Sequence, residues 1–112
     1  MEEKTIYTMT DSEWLASEKS DHYMFLTDTE IADKIDDFTA EPLRIRAWKN
    51  VGDFHRCVAY SLVESTLTQL WRAARIRGLI EDGILRTATR KIPAQTTAEQ
   101  IKIIAWNRHL DD

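Results

Sequence analysis

The chain has little of what staples, breaks or anchors a polypeptide. A single cysteine, Cys57, stands among 112 residues, so no disulfide can close within the chain, and a reducing compartment is expected. Gly52, Gly78 and Gly83 are the only glycines, and no Gly-Lys-Ser or Gly-Lys-Thr occurs. Backbone cradles for phosphate need closely spaced glycines, so Walker-type and dinucleotide sites are excluded. Long apolar runs are missing too: uncharged stretches such as Cys57 to Val63 fall far short of the ~20 residues that span a bilayer. The acidic start Met1-Glu2-Glu3-Lys4 leads into no apolar run of signal length. The expectation is a cytoplasmic protein that neither inserts in a membrane nor is exported.

Sites for chemistry are equally sparse. His55 and Cys57 lie two apart on a predicted helix and diverge to different faces, while His22 and His109 have no second histidine at i+4. No Gly-x-Ser-x-Gly elbow marks a serine as nucleophile, and no local pattern joins His, Ser and Asp into a set. No metal, no cofactor and no catalytic residue is expected, and the chain reads as non-enzymatic.

Charge is present in quantity and unevenly spread. Residues 1–41 hold twelve acidic side chains against three basic ones, and residues 42–112 hold seven against twelve. Nine of those twelve bases are arginine, the cation suited to bidentate contact with carboxylate or phosphate. Three explanations stand open: the two halves neutralise one another, the basic part meets nucleic acid, or the acidic part meets a basic partner. Four tryptophans, Trp14, Trp48, Trp71 and Trp106, add large side chains that fill a core or anchor an interface.

Local signals predict a single domain over residues 1–112, mostly α with minor β: four to five helices and a short strand pair. Lys4–Met9 alternates weakly, as a strand does. Thr10-Asp11-Ser12-Glu13 is a capping box that opens a helix to about Glu18. His22–Leu26 reads as strand or connecting core. Thr27-Asp28-Thr29-Glu30 is a second box, opening a helix to about Asp37 with Ile31, Ile35 and Phe38 inward. Residues 39–50 satisfy either a strand, by alternation, or a helix begun at Pro42. Asp53 is the expected N-cap of the longest helix, toward Arg77, with an apolar stripe of Phe54, Val58, Leu62, Val63, Leu67, Leu70, Trp71 and Ala74. That stripe slips by one residue near Ser65, where Thr66-Leu67-Thr68-Gln69 offers another capping box, predicting a kink or two helices. Residues 84–92 suggest an exposed strand, and Thr96–Glu99 a further capping box for a C-terminal helix.

Two groups of residues stand out as candidate contacts. Glu30, Asp33 and Asp37 fall at i, i+3 and i+7 on one helix face; with Asp36 they form a surface for a basic partner. Trp48 with Arg44 and Arg46 supplies an aromatic-plus-arginine anchor for the same kind of contact. Residues 26–35 also resemble the first helix of a helix-turn-helix, with a small Ala32 for packing. Residues 42–49 would then be the recognition helix presenting Arg44, Arg46 and Lys49, with Arg72 and Arg75 as a second basic surface. In size and balance the chain is similar in type to the small phage- or plasmid-encoded proteins that block a host factor, such as anti-CRISPR proteins. The leading expectation is therefore an interaction module or inhibitor acting on a partner protein, and the alternative is a helix-turn-helix DNA-binding regulator. If the long helix is partly exposed, a homodimer would join along Val63, Leu67, Leu70 and Trp71.

Overall fold

The computed structural model of the chain describes residues 4–93. In order these form helix α1 (Asp11–Ala16), a 3-10 turn (Glu18–Ser20), α2 (Asp21–Met24), α3 (Asp28–Arg46), α4 (Asp53–Ile76), and strands β1 (Ile80–Glu81), β2 (Ile84–Arg86) and β3 (Lys91–Pro93). The fold is mostly helical with one small antiparallel sheet in the order β1-β2-β3. It has three strands where a pair is expected.

The centre of the molecule is α3 packed on α4. Ile31, Ala32, Ile35 and Ile45 face Tyr60, Val63, Leu67, Leu70, Ala73 and Ala74, with Trp14 from α1, Ile6 and Leu85 of β2 completing the core. Each fully buried Leu or Ile side chain contributes roughly 1.5–3 kcal/mol by leaving water. Of the expected capping boxes, those at Thr10 and Thr27 form, whereas Thr66–Gln69 lies inside the unbroken α4 and caps no helix start. Thr10 Oγ1 accepts from Glu13 N while Glu13 Oε1 accepts from Thr10 N, and Thr27 and Glu30 repeat the exchange.

Several local expectations give way to longer-range packing. Residues 6–8 form a turn rather than a strand, with Thr5 O accepting from Thr8 N and Met9 N. Residues 21–24 are helical, so His22–Leu26 is no strand. α3 runs nine residues beyond Asp37 and contains Pro42. A proline inside a helix removes one hydrogen bond and crowds the carbonyl four residues back. Here Pro42 and Ile45 are buried, and the packing against α4 offsets that cost. Because residues 36–40 are helical, the turn of a helix-turn-helix does not form in this segment: residues 42–46 continue the same helix. α4 is a single helix through Ser65, and its N-cap is Gly52 rather than Asp53. The expected C-terminal helix after Thr96 lies outside the described residues.

Two glycines set the sheet against α4. Gly78, at φ 75°, ends the helix: Leu79 N donates to Ala74 O and Gly78 N to Arg75 O. Asp82 and Gly83 both have positive φ and form the two-residue turn that pairs Glu81 with Ile84. The strand expected over 84–92 is broken at residues 87–90, where Thr87 Oγ1 accepts from Arg90 N, and β3 returns along β2.

Candidate interaction site

The acidic residues picked out on α3 are brought together, and each is engaged within the molecule. Glu30 caps its own helix, and the hydrogen bonds from Thr27, backbone first and side chain second, hold its carboxyl below the usual range. Arg90, from the β2–β3 turn, grips two acids at once, Asp33 Oδ1 at 2.9 Å and Asp36. Arg44 Nη1 lies 2.8 Å from Glu41 Oε2 and 3.0 Å from Asp37 Oδ1. The hydrogen bond to Glu41, and then that to Asp37, raises the Arg44 pKa above its ordinary value.

The basic residues on α4 behave the same way. Arg72 donates to Ile6 O at 2.9 Å and Met9 O at 3.1 Å, and lies 3.3 Å from Asp11 Oδ1. Its guanidinium carbon sits 5.8 Å from the Trp14 ring centroid. Arg75 reaches the same Asp11 oxygen at 2.7 Å, and Arg77 pairs with Asp28 at 3.1 Å while donating to Met24 O. Arg72 and Arg75 thus converge on one carboxylate and tie the N-terminal segment to α4. Beside them Gln69 Oε1 accepts from Trp14 Nε1 at 3.0 Å, and Gln69 Nε2 donates to Tyr23 Oη at 3.3 Å. Of the three explanations for the uneven charge, mutual neutralisation has direct counterparts in these ion pairs.

The third group gathers at the α3–α4 corner. Arg56, on the first turn of α4, is buried and folds back on the loop, donating to Val51 O at 2.7 Å and to Trp48 O. Asn50 takes a left-handed φ of 60° in the same loop. The backbone at Trp48 is therefore pinned while the residue stays 40% exposed, and Leu43, Arg44, Arg46 and Lys49 of the same stretch are exposed as well. A large exposed aromatic on a fixed backbone, with Arg44, Arg46 and Lys49 within four residues of it in the chain, has the composition of a binding anchor.

Sequence reasoning misplaced one apolar group. Phe54, Val58 and Leu62 are read as inward, yet all three are exposed; the buried positions of α4 are Arg56, Tyr60, Val63, Leu67, Leu70 and Ala74. These six recur at steps of four and three, with Gln69 and Ala73 buried alongside the last of them, and the slip at Ser65 is their signal. An arginine at the first inward position concealed it. Val63, Leu67 and Leu70, expected as a dimer seam, are instead filled by the protein's own core, so that seam is not available. Among the described residues no group of three His, Cys, Asp or Glu side chains is placed to hold a metal ion, and no helix is long and apolar enough to cross a membrane. Compared with family models, with curated proteins and with solved structures, the chain matches none of them.

Proposed function

We propose that the protein is a non-catalytic interaction module that occupies a surface of a partner protein through its α3–α4 corner. The observation that carries this reading is Trp48, exposed at the surface while Arg56 fixes its backbone. An anchor ordered before binding loses little entropy on complex formation, which favours affinity from a small surface. Lys49 and Arg46 at the same corner, with Arg44 held beside Glu41 and Asp37, suit a partner whose apolar pocket has an acidic rim. By covering a surface its target needs, such a module acts as an inhibitor, in the manner of small phage- or plasmid-encoded blockers of host factors. Glu30, Asp33, Asp36 and Asp37 contribute mainly by holding α3 and the β2–β3 turn in place.

A photo-crosslinking amino acid at position 48 tests this. The expected result is a crosslink to one protein, competed away by unlabelled wild-type chain and not by the Trp48→Ala variant. Crosslinks arising from position 33 or 37 instead would move the contact to the acidic face. Titration of labelled duplex DNA discriminates the nucleic-acid alternative. Binding that falls steeply with salt and disappears in an Arg44→Ala, Arg46→Ala, Lys49→Ala variant would transfer the corner to phosphate recognition.

A further inference from the structure

We propose that the outward face of the first half of α4 is a homodimer interface, on which Phe54, Val58 and Leu62 of two copies pack across a two-fold axis at Val58. The two halves of this helix are covered differently. Along the second half both sides are occupied: α3 packs on one, and Gln69 and Arg72 bind the N-terminal segment on the other. Along the first half, among the described residues, only the α3 side is covered. On the opposite side Phe54 is 75% exposed, Val58 44% and Leu62 64%, and His55, Cys57 and Ser61 beside them are exposed as well.

The occupant follows from charge, symmetry and area. From Phe54 to Val63 the one Asp, Glu, Lys or Arg is Arg56, and it is buried against the loop at Trp48 and Val51. A strongly charged partner finds no complement on this face, while a second copy meets no like charge, and depletion of charge is what marks an interface centre. The face is also symmetric about Val58, with a large apolar residue four positions to either side. Phe54 and Leu62 lie on one ridge about 12 Å apart along the helix axis. In an antiparallel pair, Val58 therefore packs on Val58 of the second copy and Phe54 on Leu62 of the second copy, an isologous contact that closes at two. Each copy offers on the order of 400–500 Å², so the pair buries roughly 1,000 Å², the lower bound for a specific interface. That area fits a weak dimer that forms as concentration rises, not an obligate one.

Sedimentation equilibrium of the full chain from about 10 μM to about 1 mM provides the test. The average mass is expected to climb from 13.1 kDa toward twice that value. Val58→Asp places two carboxylates on the axis, and Leu62→Lys two ammonium groups at the ends of the seam. Both variants should remain monomeric at every concentration with unchanged circular dichroism, because both positions are exposed. A short bifunctional maleimide should link Cys57 to Cys57 in the wild type and not in either variant. A monomeric mass at the highest concentration, or variants that self-associate like wild type, would overturn the proposal, whatever else then covers the face. Position 48 lies outside the seam, so crosslinking there reports on the partner contact separately from the mass.

Discussion

At the scale of single residues, burial decides which of the many arginines matter. Arg72 and Arg75 share the carboxylate of Asp11, yet the Arg72 side chain is 11% exposed and that of Arg75 56%. The exposed pair is screened by water and salt and contributes little. Arg72 in addition satisfies the carbonyls of Ile6 and Met9 and covers the Trp14 ring. Its removal leaves two part-buried acceptors unpaired. Arg72→Ala should therefore cost about 2–4 kcal/mol in urea unfolding, whereas Arg75→Ala should cost under about 0.5 kcal/mol. A similar argument applies to Trp14, which is fully buried and donates to Gln69. Trp14→Phe keeps an aromatic ring in the core but removes the N–H, and a loss of about 1–3 kcal/mol is expected from the unpaired Gln69 oxygen.

At the scale of elements, the legible parts are those encoded within a few residues. Both capping boxes could be read directly, because Thr10 with Glu13, and Thr27 with Glu30, need only each other. Thr10→Ala and Thr27→Ala should each cost about 1 kcal/mol, measured by thermal or denaturant unfolding. The glutamates give the boxes a pH signature. Glu13 titrates at about 2, below its ordinary 4.5, chiefly because Lys4 hydrogen-bonds its carboxylate and then because Thr10 does, through its backbone and then its side chain. A carboxyl lowered in the folded state stabilises fully above its unfolded value, and that stability is lost as pH falls toward the folded value. The melting temperature should therefore fall from about pH 5 to about pH 2, with a shallower slope in Glu13→Gln; an unchanged slope would show that the box does not titrate with folding. The end of α3 was not legible in the same way. Pro42 and the alternation of Leu43, Ile45 and Ala47 argue locally for a break, and only burial of Pro42 and Ile45 on α4 carries the helix to Arg46. The Asp82-Gly83 turn is the opposite case: a dipeptide between Ile80 and Ile84 that signals a hairpin by itself. Of the candidate site, Trp48 with Arg44 and Arg46 is legible as a group because all three lie within five residues of chain. The internal pairing of the acids is not, because Arg90 lies 54 residues from Asp36 in the chain.

At the scale of the whole molecule, the uneven charge acts as an instruction for which parts of the chain meet. Arg72 and Arg75 reach Asp11, Arg77 reaches Asp28, and Arg90 reaches Asp33 and Asp36, so these arginines of the basic back half take their carboxylates from the acidic front half, while Arg56 pairs locally with Asp53. The apolar core is divided in the same way. Ile6, Trp14, Ile31, Ala32, Ile35 and Ile45 come from before residue 50, and Tyr60, Val63, Leu67, Leu70, Ala73, Ala74 and Leu85 from after it. Neither half retains a closed apolar layer alone: α4 without α3 exposes its buried row, and α3 without α4 has no partner helix. Residues 1–50 and 51–112 produced separately should each be largely unfolded by circular dichroism, and mixing them should restore helix through the α3–α4 contact. Because attraction between the unfolded halves starts with opposite charge, that recovery should slow as salt rises and the Debye length shortens toward about 3 Å at 1 M. Recovery at a rate independent of salt would leave the apolar faces as the sole guide to assembly, and the charge division would then serve the folded surface alone.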